Sequence, residues 1–147
     1  MYSYEELVGI IAELRSDHGC PWDKAQTHES LIPCLRDECE EVVQAIEKKD
    51  EENLCEELGD VLLQVLMHAQ IAKEEGLFTM EDVVNGLAEK MVRRHPHVFG
   101  DEEYGSAEQN RLRWEEIKKA EKEQKEMRKK AKIQGIQLDK PQETRYN

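Results

Sequence analysis

The longest run of apolar positions lies at residues 54–72, LCEELGDVLLQVLMHAQIA. Leu54, Leu58, Val61, Leu62, Val65, Leu66, Ala69 and Ala72 recur at helical spacing, and Leu63, Met67 and Ile71 cover much of the opposite side. A helix that is apolar nearly all round belongs inside a core. At about 100° per residue, Glu57, Asp60, Gln64 and His68 share one narrow strip of it. Acids on a buried helix need a partner, because an unpaired buried charge is costly. One short chain has few helices with which to cover both apolar faces. A second copy is therefore expected to supply the remaining cover through a two-fold contact that depends on Met67 and Ile71.

The other helices are shorter and carry punctuation. Ser3 followed by Glu6 has the form of a capping box and opens an amphipathic helix over about residues 4–16. Residues 18–23, His-Gly-Cys-Pro-Trp-Asp, are expected to form a loop, with Trp22 a packing anchor or a substrate contact. A second helix begins near Thr27 or Ser30, holds Pro33 within its first turn or so, and ends near Lys49. Leu31, Leu35, Val42, Val43 and Ile46 form its apolar stripe; Glu38 falls inside that stripe and Glu41 at its edge. The link at residues 48–51 is short enough to make this helix and the central one antiparallel neighbours. Gly76 ends the central helix. Thr79 with Asp82 starts a fourth, with Val83, Val84, Leu87 and Met91 inward, which stops at His95-Pro96-His97. Ser106 with Gln109 caps a fifth bearing Leu112, Trp114 and Ile117.

From Lys118 the apolar pattern fades. Residues 1–132 are expected to form one domain and residues 133–147 a flexible or loosely docked tail. No strand-like alternation, internal repeat or Gly-rich phosphate loop is visible. The expectation is an all-α, antiparallel bundle of about five helices.

Charge narrows the class. The net charge is -12, but residues 1–110 hold 26 acids against 9 bases (net -17), whereas residues 111–147 hold 7 acids against 12 bases (net +5). Such a body does not bind nucleic acid through general electrostatics, and the Lys/Glu alternation of the basic end reads as a solvated helix. Cys20, Cys34, Cys39 and Cys55 form no Cys-x-x-Cys pair, so zinc-site spacing is absent. With no signal peptide, lipidation motif or long apolar span, the expectation is a soluble, reduced, cytoplasmic protein that does not engage membrane.

The chemistry lies in the acids. Glu38 and Glu41 are three residues apart, as are Glu57 and Asp60, and that spacing shares a helix face. Facing antiparallel helices bring the four carboxylates together, where they repel unless protonated or neutralised. A hard divalent cation resolves the repulsion, and oxygen-only ligands favour Mg²⁺, Mn²⁺ or Ca²⁺. Mg²⁺ is commonly shared with substrate phosphates, which points to a nucleotide. A solvated charged face is the plainer reading of such acids; it suits Glu40, Glu51, Glu52 and Glu56 better than Glu38. A di-iron bundle would need Glu-x-x-His, and no His here has an acid three residues before it. His68 is read as a satisfied core histidine. Lys90 and Arg94, at i and i+4, place two cations on one face, either for phosphates or as ordinary bases at a helix C-terminus.

Several motifs in order carry a family resemblance: Cys20-Pro21-Trp22-Asp23, Gln26-Thr27-His28-Glu29-Ser30-Leu31, Glu56-Glu57-Leu58-Gly59-Asp60 and Arg93-Arg94-His95-Pro96-His97-Val98-Phe99. From about residue 14 to residue 119 the chain resembles the MazG-type nucleoside triphosphate pyrophosphohydrolases. The family's acidic signature is Glu-Glu-x-x-Glu followed by Glu-x-x-Asp. The second part matches; the first reads Asp37-Glu38-x-x-Glu41, and Asp37 reaches one methylene less far. The resemblance implies an all-α fold and dependence on Mg²⁺, with Mn²⁺ as a substitute. It implies an obligate homo-oligomer, at least a dimer, that hydrolyses a nucleoside triphosphate to the monophosphate and pyrophosphate. By position, Glu38, Glu41, Glu57 and Asp60 would hold the metal and carry catalysis, Lys90 and Arg94 would meet the phosphates, and Trp114 would line the pocket. The alternatives are a base-selective dUTPase-like or dCTPase-like activity or phosphoribosyl-ATP pyrophosphohydrolase of the same superfamily, and, in another class, a non-catalytic helical interaction module.

Overall fold

Ser3 accepts a hydrogen bond from the Glu6 amide while Glu6 accepts one from the Ser3 N–H, and this reciprocal cap opens helix α1, Tyr4–Leu14. The computed structural model describes residues 1–135, which carry seven helices and no strand. The others are α2 (Pro21–Ala25), α3 (Ile32–Glu47), α4 (Glu51–Glu74), α5 (Met80–Arg94), α6 (Pro96–Phe99) and α7 (Ala107–Ile133). The all-α class is as expected. Two short helices are additional. Pro21 and Pro96 each occupy a first helical turn, where the fixed φ of proline suits a helix start, and α2 takes the place of the loop expected at residues 18–23. Trp22 on α2 is exposed rather than a packing anchor.

The chain divides into two compact units, the first from Met1 to Gly86 and the second from Leu87 onward. In the first, α3 and α4 form an antiparallel pair. Lys49 in the turn takes a left-handed φ of 54°, and the Asp50 amide donates back to the Ala45 carbonyl at 3.0 Å, closing α3. The same Asp50 accepts from the Asn53 amide and so caps α4. One residue thus closes one helix and opens the next. The far end of α4 closes the same way: Gly76 sits at φ 71° and the Leu77 amide donates to the Ala72 carbonyl at 2.9 Å.

The core of this unit is Ile11, Leu31, Leu66, Met67 and Ile71, with Leu7, Val8, Leu14, Cys34 and Met80 packed against it. This corrects one expectation. Met67 and Ile71 do not await a second copy; α1 and the segment entering α3 cover them within the chain. The uncovered part of α4 lies before its buried last turns, where Leu58, Leu62, Leu63 and Val65 are exposed, as are Val43 and Ile46 on α3. Arg15 pins this end of the unit. The residue is 8 % exposed, and its guanidinium pairs with Glu74 at 2.8 Å and donates to the carbonyls of Asp23 and Gln26.

In the second unit, Ser106 and Gln109 form the reciprocal cap of α7. The apolar pattern fades after Lys118 as read, yet the helix continues to Ile133, because Lys, Glu, Ala, Gln, Arg and Met are all strong helix formers. Of α5, no residue is fully buried, and Val84 and Leu87 are exposed rather than inward. Of the expected tail, residues 136–147 lie outside the described residues.

The two left-handed positions give opposite predictions. Gly76→Ala should destabilise the fold by about 1 kcal/mol, since a Cβ is disfavoured there, and Lys49→Gly should stabilise it by about 0.5 kcal/mol. Urea denaturation checks both; equal signs would show that these backbone conformations do not control the helix ends.

Candidate metal centre

Glu38 and Glu41 lie one turn apart on α3, and Glu57 and Asp60 one turn apart on α4. The antiparallel pairing brings the two couples face to face. One carboxylate oxygen from each of the four lies within 4.8 Å of the others. Glu38, Glu57 and Asp60 are half-buried and Glu41 is exposed. None of the ion pairs among the described residues involves any of the four.

The electrostatic consequence is large. Glu57 is pushed up to about 7, first by its hydrogen bond with Glu41, then by burial, then by the charges of Glu41, Asp60 and Glu38. Burial raises Glu38 too, helped by its hydrogen bond with Glu41 and by the charges of Glu41, Asp60 and Asp37. Oε2 of Glu38 and Oε2 of Glu57 are buried with no hydrogen-bond partner. A buried acceptor without a donor is unusual, and here two stand beside two further carboxylates. Oxygen-only donors, four potential charges and two unmet acceptors fit a hard divalent cation.

The strip on α4 continues past the acids. Gln64 is 6 % exposed, and its Oε1 has no partner. His68 is not the satisfied core histidine expected. Its Nδ1 lies 2.7 Å from Nδ1 of His28, the two rings are parallel with centroids 5.1 Å apart, and its Nε2 is buried without a partner. The sequence placed Gln64 and His68 on one strip with the acids. It gave no sign that His28, forty residues away, meets that strip.

In the second unit Arg94 and Trp114 come together: the guanidinium stands 5.2 Å from the centre of the indole ring. The edge of His95 also meets Trp114, and its Nδ1–H donates to the Met91 carbonyl. Arg93 and Arg94 both bind Glu121, at 2.6 and 2.8 Å, and these cations hold the Glu121 carboxyl below its usual range against the opposing effect of burial. Among the described residues no ion pair involves Lys90, four residues before Arg94 on α5.

Residues 26–99 match the MazG nucleotide pyrophosphohydrolase domain family. A Thermotoga maritima protein named nucleoside triphosphate pyrophosphohydrolase/pyrophosphatase MazG is 57 % identical over 119 residues, 81 % of this chain and 45 % of that protein. The nucleoside triphosphate pyrophosphohydrolase of Escherichia coli K12 is 42 % identical over 126 residues, 85 % of this chain and 48 % of its own length. The chain therefore spans just under half the length of these two relatives. The crystal structure of a mazG-related protein from Thermotoga maritima superposes with a TM-score of 0.65 at 36 % identity, covering 78 % of this chain and 98 % of the other.

The raised Glu57 carboxyl has a thermodynamic signature. Below pH 4.5 both the folded and the unfolded chain hold its proton; between 4.5 and about 7 the unfolded chain releases it while the folded chain keeps it. Stability of the metal-free protein should therefore fall as pH rises through that window. Thermal melts in chelator at pH 5 and pH 7.5 should show a lower midpoint at the higher pH. Glu57→Gln should reduce the difference, and an unchanged difference in that variant would rule out Glu57 as its source.

Proposed function

The chain belongs to the MazG nucleotide pyrophosphohydrolase domain family, and from that premise we propose that it hydrolyses nucleoside triphosphates to the monophosphate and pyrophosphate with Mg²⁺, or Mn²⁺ in its place. The observation that carries this reading is the four-carboxylate cluster with its two partnerless oxygens. Glu38, Glu41, Glu57 and Asp60 would hold the cation. When bound, such an ion neutralises triphosphate charge and lowers the pKa of water.

The chain's own groups would do the rest. A carboxylate oxygen not engaged with the ion accepts a hydrogen bond from the attacking water and aims it at the α-phosphorus. The new bond runs from the water oxygen to the α-phosphorus, and the bond from that phosphorus to the bridging oxygen of the β-phosphate breaks. Pyrophosphate leaves with the bonding pair, and the proton of the water passes to the carboxylate. Lys90 and Arg94 would meet the negative phosphate oxygens, and Trp114 would line the pocket beside Arg94.

The active unit in this reading is a homo-oligomer, at least a dimer. Its support is the exposed apolar surface of Leu58, Leu62, Leu63 and Val65 on α4 beside Val43 and Ile46 on α3, larger than isolated surface residues account for. This reading includes neither nucleic acid nor membrane as a partner; its support is the strongly acidic balance of the first 110 residues. In this reading the reaction runs in the cytoplasm, a reducing compartment that suits four free cysteines, and its role is housekeeping of the nucleotide pool.

Pyrophosphate release from a panel of nucleoside triphosphates tests the activity. Glu38→Gln and Asp60→Asn should abolish it while leaving the helical circular dichroism intact. Lys90→Ala and Arg94→Ala should lower kcat/KM by about 2 kcal/mol each in transition-state terms. Near wild-type turnover of the acid variants at saturating Mg²⁺ would defeat the site assignment.

Light scattering should give a mass of at least two 17.2 kDa chains, and Leu62→Asp should lower it. A fully active species with the mass of one chain would refute the oligomer.

A further inference from the structure

The strip on α4 does not end with the acids, and its continuation is chemically incomplete. Gln64 is buried with Oε1 unpartnered, and Nε2 of His68 is buried and unpartnered one turn further on. A helix rises about 1.5 Å per residue, so these two lie about 6 and 12 Å along the axis from Asp60. Residues four apart on a helix have neighbouring side chains, close enough for one ligand group to touch both.

The polarity of the pair follows from its neighbours. Burial, and then the charge of His28, hold the His68 imidazole below its ordinary value, so His68 is neutral near pH 7. Its Nδ1 faces Nδ1 of His28 at 2.7 Å, a separation at which one ring nitrogen donates to the other. Nε2 of His28 stands 3.9 Å from the Glu75 carboxylate, which favours a proton on that nitrogen. With the Glu75 side taking the N–H of His28 Nε2, Nδ1 of His28 is the acceptor and His68 Nδ1–H the donor, a tautomer assigned from the network. Nε2 of His68 is left as a bare acceptor one helical turn from the Gln64 carbonyl, itself an acceptor. Two buried acceptors at that spacing call for a ligand group with two donors.

We propose that Gln64 and His68, with His28 and Glu75 behind them, form a hydrogen-bond-accepting subsite that selects among substrates by a double donor on their nucleoside moiety. This rests on the acidic cluster being the phosphate end of the site. With its phosphates at the acids, a nucleotide laid along α4 would carry its ribose and then its base toward Gln64 and His68. Two nucleoside groups offer this chemistry, the exocyclic amino group of a base and the ribose cis-diol. Gln64 and His68 are specificity residues, while His28 is a positioning residue that fixes which nitrogen of His68 is bare.

Calorimetric binding of nucleoside monophosphates with Mg²⁺ present tests this without requiring turnover. Loss of hydrolysis in the wild type would defeat the proposed activity, whereas the subsite is judged on binding ratios alone. AMP against IMP and CMP against UMP remove the amino group; CMP against dCMP breaks the diol. Inorganic tripolyphosphate, which has phosphates and no nucleoside, is the control. In the wild type at least one pair should differ in Kd by about tenfold. Gln64→Met and His68→Phe should each bring that ratio close to one and leave tripolyphosphate binding unchanged. The responding pair tells amino group from diol. Ratios near one in the wild type, a ratio retained in either folded variant, or equal loss of tripolyphosphate would overturn the subsite; a retained ratio would mean that Gln64 and His68 bond only to buried water.

Discussion

Mutual repulsion among Glu38, Glu41, Glu57 and Asp60 is the constraint on which the first unit depends. Four carboxylates with oxygens inside 4.8 Å cannot all be ionised in a half-buried place without a cation. In the metal-free chain burial and the neighbouring carboxylates push Glu38 up, and the hydrogen bond with Glu41, burial and those charges push Glu57 up to about 7. The helices must therefore be held together by something other than the acids. The core of Ile11, Leu31, Leu66, Met67 and Ile71 does so at one end of α4, and the Lys49–Asp50 turn fixes the other. Apolar packing thus holds the like charges in place, and in the proposed function a cation would relieve their repulsion.

The same pairing orders polarity along α4. From its first turns toward its last, the strip facing α3 runs from carboxylates to a carboxamide to an imidazole, that is, from groups suited to a cation to groups suited to neutral donors. The nucleoside triphosphate proposed as substrate has the matching gradient, charged at one end and neutral at the other. Arg15 contributes indirectly: by tying Glu74 to the carbonyls of Asp23 and Gln26, it holds the segment that carries His28 against the end of α4.

Much of this was readable beforehand because it is local. Capping boxes at Ser3 and Ser106, the stop at Gly76 and the paired acids all lie within one or two helical turns, where spacing translates directly into geometry. What was not readable depends on distant partners. The Arg15 contacts end on backbone carbonyls, which leave no trace in side-chain identity. His28 and His68 meet across forty residues. The apolar pattern of α4 identified a buried helix but not which part the chain itself covers, since Leu62 and Met67 look alike in sequence. Helices α2 and α6 are too short to show a period; only Pro21 and Pro96 marked them, and proline marks loops as well.

The direct test of the acidic cluster is calorimetric titration of Mg²⁺ into the metal-free protein at pH 7, in two buffers of different ionisation enthalpy. A cation displacing the proton held by the raised Glu57 carboxyl gives saturable heat that differs between the buffers, because protons are released on binding. Absence of saturable heat would contradict the account and leave the carboxylates as a charged surface. Saturable heat identical in both buffers would show that the ion binds without discharging the protonated cluster.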